Sequence, residues 1–138
     1  MGVIVDTSVW VDVERGRLTH VDIADTVRND AVFLAPHVIA ELEFGVHCAK
    51  TDAQRNKRIA ALARIKRKPC LGVDRVTGEL FGRLAAQLRK DGKDARHRVH
   101  DLWIAALALQ HGYAVLTENP RHFRDVPGLT VLSVKAGR

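Results

Sequence analysis

The sequence predicts an α/β protein in three layers, α/β/α, with helices covering both faces of a central, mainly parallel sheet. Short β-branched runs alternate with longer stretches whose apolar residues recur at helical spacing. The first such run, Val3-Ile4-Val5, is continuously apolar, the mark of a strand covered on both faces. An acid, Asp6, follows it directly, at the carboxyl end of the strand, where parallel sheets bind their ligands.

Element by element, residues 3–5 read as the first strand and residues 7–13 as a helix that starts directly after it. Val21, Ile23, Ala24 and Val27 form a second helical stripe, and residues 32–35 a second strand. Pro36 suits the first position of a third helix, which continues through Val38, Ile39, Leu42, Val46 and Ala49. Residues 50–68 hold eight basic residues against the single acid Asp52, predicting a helix with a basic outer face, stopped by Pro69. Asp74 caps a helix with core face Val76, Leu80, Leu84 and Leu88 that ends at Gly92, and a basic loop spans residues 93–98. The nearly all-apolar helix 100–111 must be central; Ala105 and Ala108 let it approach the sheet closely, and Gly112 ends it. Strands at 114–116 and 129–134 complete the sheet.

The length of 138 residues and 46% hydrophobic content suit a single domain over residues 1–138. The first apolar run is ended at once by Asp6, so no secretory signal is read and a cytoplasmic location is expected. No run reaches the roughly 18 apolar residues of a membrane helix, and no membrane association is expected. Cys48 and Cys70 match neither a redox pair nor a zinc framework and are expected to be buried thiols. The formal net charge of +6 points to a polyanionic partner.

Three acids carry the chemistry. Asp6 can serve either as a cap for the following helix or as a site acid. Glu41 shares a helix face with Val38 and Gly45, whereas Glu43 is expected to face water; a carboxylate drawn into a partly buried site calls for a cation or hydrogen bonds, the alternative being a snorkelling surface glutamate. Asp101 opens the apolar helix, where the positive end of the dipole offers a purely structural role. Converging carboxylates repel unless a divalent cation neutralises them, and hard oxygen donors favour Mg²⁺ or Mn²⁺. Such an ion can activate water against a phosphate gathered by the basic surface.

Four segments, VIVDTSVW, PHVIAELEFG, HDLWIAA and AVLTENPRHF followed by VPGL, resemble in order the PIN-domain ribonucleases, in particular VapC-type toxins of toxin–antitoxin pairs. The resemblance implies a PIN-like sandwich in which Asp6, Glu41 and Asp101 bind Mg²⁺ or Mn²⁺ and metal-activated water cleaves single-stranded RNA. It places Thr7 or Ser8 beside the first acid and Thr117 in the pocket, although Ser8 could simply cap a helix and Thr117 end a strand. The family often carries an acid two residues after this threonine; here Asn119 stands there, expected in the pocket with Glu118 outside. Arg96 and Arg98 are candidate RNA contacts, against a solvated loop. His100 is read as a surface or capping histidine, and Trp10 and Trp103 as packing residues. The resemblance further implies a homodimer and a small VapB-type antitoxin whose carboxyl-terminal segment lies in the groove leading to the acids, received by an exposed apolar strip near Trp10 and Val13.

Other classes fit less well. A phosphatase or dehalogenase wants a second aspartate where Ser8 stands, a receiver domain wants paired early acids, and neither GxGxxG nor GxxxxGK[ST] occurs. The competing non-enzyme reading is a PIN-like RNA-binding or regulatory module without turnover, for which Asn119 is the best support.

Overall fold

A computed structural model describes residues 1–134; the last four residues of the expected domain lie outside the described residues. The strands are β1 (Gly2–Val5), β2 (Ala31–Phe33), β3 (Ala114–Leu116) and β4 (Val131–Leu132), in the order β2-β1-β3-β4. Every pairing between them is parallel. The helices are α1 (Thr7–Glu14), α2 (His20–Val27), α3 (Pro36–His47), α4 (Asp52–Ile65), α5 (Arg75–Lys90) and α6 (Val99–His111). Together they form the expected three-layer α/β/α sandwich.

β1 is central, and its side chains from Val3 to Val5 are fully buried, as a continuously apolar strand requires. Pairing runs on past the strand, because the Asp6 amide donates to the Leu116 carbonyl at 2.8 Å. Beyond β2, the segment after α4 adds a short parallel pairing: Leu34 N–H donates to Pro69 O and Leu71 N–H to Leu34 O, each at 2.8 Å.

α6 packs against α5, β3 and β1. Ala105, Ala106 and Ala108 are completely buried, so the close approach expected from small residues is realised. Gly112 takes φ 68°, and the Tyr113 amide returns to the Ala108 carbonyl at 2.9 Å, closing the helix with the left-handed residue that glycine best tolerates. At the start of α5 the Asp74 carboxylate accepts from the Val76 and Thr77 amides.

Several expectations shift. The core face of α5 begins at Thr77, not at Val76, which is 42% exposed. The cause is polar: Thr77 is drawn inward to Gln110 of α6, whose amide also donates to Asp74 at 3.0 Å. Val21 likewise faces outward. The last strand is two residues long and not six, because β3 offers only three residues to pair with and Leu129 is still held in a turn by its bond to the Val126 carbonyl. Both cysteines are exposed, not buried. Cys48 falls just past the last turn of α3, and at the sheet edge Leu71, not Cys70, is the residue that packs on the core.

The fully buried alanine face of α6 leaves no room for larger side chains. Ala105→Leu is expected to destabilise the fold by roughly 1–3 kcal/mol through overpacking. A urea midpoint unchanged from the parent would contradict this packing.

Candidate active site

Asp6 leaves the end of β1 only 6% exposed. It occupies the N-cap position of α1, yet its side chain makes no capping hydrogen bond. Oδ2 instead accepts from Ser8 Oγ at 3.0 Å and Thr117 Oγ1 at 2.9 Å. Those hydroxyls are themselves fixed by the next two amides: Glu118 N–H donates to Ser8 Oγ at 3.1 Å and Asn119 N–H to Thr117 Oγ1 at 3.0 Å. Thus Ser8 does not cap α1, and Thr117, completely buried, does more than end β3. Both hold the Asp6 carboxylate in one orientation.

Asp101 sits in the first turn of α6, its side chain 20% exposed. Its carboxyl is pushed above the ordinary aspartate range, first by burial and then by the Asp6 carboxylate, with Glu41 adding and His122 and His100 opposing. The helix dipole favours the ionised form here, but desolvation and like charge outweigh it. Asp6 and Glu41 thus both act electrostatically on Asp101.

Glu41 differs from expectation in burial. Its side chain is 47% exposed, the same as that of Glu43, so the two glutamates are not separated into inner and outer positions. What distinguishes Glu41 is its partners: it accepts from Thr7 Oγ1 at 2.8 Å and pairs with His100 Nε2. Its carboxyl is held below the ordinary glutamate range chiefly by the His100 hydrogen bond and further by Thr7, against the opposing effect of burial. His100 is raised in turn, by Glu41 above all, with Asp101 and Asp6 adding and burial opposing. It is therefore neither a capping nor a free surface residue. A second histidine went unpredicted: His122 Nδ1 lies 3.4 Å from Asp101 Oδ2. Its only sequence signal was its place three residues after Asn119, in a segment whose course no periodicity reveals.

A family model described as PIN domain matches residues 3–129. The chain belongs to the PIN domain family. Ribonuclease VapC1 of Rickettsia felis is 33% identical to this PIN domain over 99% of the chain and 98% of its own length. Among solved structures, VapBC2 from Rickettsia felis bound to a promoter DNA fragment superposes with a TM-score of 0.84 at 19% identity, over 98% of this chain and 100% of that one. VapBC-5 from Mycobacterium tuberculosis, a member of the VapBC family of toxin–antitoxin systems, gives 0.77 at 26% identity, over 97% and 100%.

The donor set of this PIN domain suits a hard divalent ion in kind: carboxylate oxygens that repel one another, with no thiolate among them. Among the described residues, however, no three acid, histidine or cysteine side chains converge closely enough to share one ion. Thr7 and His100 both engage Glu41 through the same oxygen, Oε1.

The remaining candidates are placed unevenly. Asn119 is half-buried and enters the network through its backbone amide; Glu118 turns to Asp12 on α1, and burial first, then this contact, raises its carboxyl. Arg96 is exposed and forks onto Asp94. Arg98 is only 19% exposed: it clamps both oxygens of Asp125 and donates to the His122 carbonyl at 2.6 Å. Its guanidinium thus ties the His122 segment to the start of α6 and does not project to solvent. The expected exposed apolar strip at Trp10 and Val13 is absent, since Trp10 is 1% exposed and Val13 half-buried. In its place, a groove of about 240 Å³ between α1, α3 and α4 is walled by Thr7, Trp10, Glu41, Leu42 and Arg58 and opens beside Glu41.

Arg98 and then Lys93 hold the Asp125 carboxyl well below the ordinary aspartate range. A depressed acid contributes stability that is complete above its unfolded pKa of about 4 and is lost as pH falls through the lower folded value. Asp125→Asn is therefore expected to be less stable than the parent at neutral pH and to converge with it in strong acid. Denaturant midpoints that stay equally separated across the acid range would contradict the clamp.

Proposed function

We propose that this PIN domain is a divalent-metal-dependent endoribonuclease of the VapC toxin type, cleaving single-stranded regions of RNA and neutralised by a cognate VapB-type antitoxin. The observation that carries the reading is the PIN-domain match over residues 3–129, supported by a buried Asp6 that, with Glu41, pushes the Asp101 carboxyl upward. Acids brought together against their own charge call for a cation, and Mg²⁺ or Mn²⁺ matches their oxygen chemistry. Asp6 and Asp101, joined by Glu41, would hold the ion, which when bound supplies an activated water and neutralises charge on the scissile phosphate.

The chain's own residues have distinct tasks. Ser8 and Thr117 fix Asp6 so that its carboxylate is oriented before any ligand arrives. Thr7 and His100 hold Glu41. Asn119, where relatives often carry an acid, supplies an amide to the pocket without charge. The exposed cations of α4 and Arg96 gather the RNA backbone. Relatives solved as VapBC complexes support an antitoxin partner, and the groove beside Glu41 is where its carboxyl-terminal segment would enter. A homodimer acting in the cytoplasm completes this proposal.

A second reading, an RNA-binding module without turnover, draws on the engagement of Glu41 with His100 and on Asn119. Purified protein incubated with RNA and Mg²⁺ or Mn²⁺ separates the two. Cleavage is expected, abolished by EDTA and reduced by about a hundredfold or more in Asp6→Asn. Cleavage surviving both treatments would reject the metal mechanism; binding without cleavage under either metal would favour the second reading.

A further inference from the structure

On another part of the surface, sharing no residue with the acids, lies a cavity of about 430 Å³. α2, the start of β2 and the segment after α4 enclose it, with Trp10 of α1 forming part of its wall. Ile23, Ala24 and Val27 give it an apolar side, while Arg28, Arg67 and Lys68 place three cations around it. Among the described residues none of these three cations has an ion-pair partner. Asp30, the acid of the lining, lies 3.6 Å from the amino-terminal ammonium.

Trp10, which forms part of the wall, is 1% exposed. A further observation points to an anionic ligand. His20, whose ring centroid is 6.0 Å from that of Trp10, also lines the cavity. Its imidazole is held below the ordinary histidine range, first by burial and then by Arg64 and Lys68, so the positive field of the rim reaches inside.

We propose that this cavity is a phosphate-binding site, in which Arg28, Arg67 and Lys68 meet the phosphate oxygens against a wall that includes Trp10. Guanidinium forks and an ammonium are the side chains that recognise phosphate best, and a ligand that supplies only acceptors satisfies every donor present. The cavity falls within the range of small-molecule pockets, about 300–1,000 Å³, and takes a group the size of a phosphomonoester. The phosphate could come from a free monoester such as a mononucleotide or from the phosphodiester backbone of RNA; the cations recognise what the two share.

The Trp10 indole N–H resonance reports binding because Trp10 forms part of the wall, and since Trp103 is the only other tryptophan, Trp103→Phe assigns the pair. The ¹⁵N-labelled protein is titrated with sodium phosphate, with uridine 5′-monophosphate and, in an Asp6→Asn background, with a short single-stranded RNA, each against sodium chloride at matched ionic strength. A saturable shift of the Trp10 signal is expected, with affinity weakened about tenfold or more in Arg67→Ala/Lys68→Ala. Arg28→Ala, read the same way, serves if the double variant does not fold. A shift with the monoester alone supports a free ligand, and a shift at lower concentration with RNA supports the backbone as the source. A response equal to that of chloride, or one unchanged in the cation variants, overturns the site.

Discussion

The constraint on which the site depends is the burial of one carboxylate. Asp6 emerges from the most deeply covered strand of the sheet, so its charge has little access to water. Such a charge persists only if polar groups meet it, and the fold brings two hydroxyls to the same oxygen, one from α1 and one from the end of β3. The two amides after Thr117 then anchor those hydroxyls, so the backbone beyond β3 is shaped by the needs of an acid on β1. Parallel pairing of β1 with β3 makes the arrangement possible by ending both strands at the same edge.

Around that centre the charge is layered. The acids repel one another, and two histidines, from the start of α6 and from the segment after β3, offset part of that repulsion. Arg98 lies behind the second histidine, held by Asp125, so one basic residue supports the site from within while others remain on the outside. A chain of net charge +6 can thus present a negative pocket inside a positive surface, the arrangement that draws a polyanion in and leaves a place for a cation at its point of contact.

Much of this was legible in the sequence because it is local. The apolar run before Asp6, Pro36 at the start of α3, Asp74 as a cap and Gly112 as a stop each announce their structure within a few residues. Less legible was whatever depends on a partner distant in sequence. Helical spacing could not tell that Thr77, not Val76, turns inward, because Gln110 decides it from another helix. Nor could it place Glu41 and Glu43 at equal exposure, or reveal that His100 binds the former. Arg98 read as a surface cation because Asp125, its partner, stands 27 positions away. The family resemblance singled out Asp6, Glu41 and Asp101 as candidates; the hydroxyls and histidines that contact them became specific only in three dimensions.

The short pairing of Leu34 with the segment around Cys70 has a consequence for how this molecule meets others. At that border of the sheet a stretch of backbone already occupies the hydrogen-bonding positions past β2, and the opposite border, β4, is only two residues long. Neither side offers a long row of free amides and carbonyls to template an added strand, which limits fibrous self-association through edge pairing. Side-chain surfaces and grooves are then the places where this fold can select for chemistry and not merely for an extended backbone.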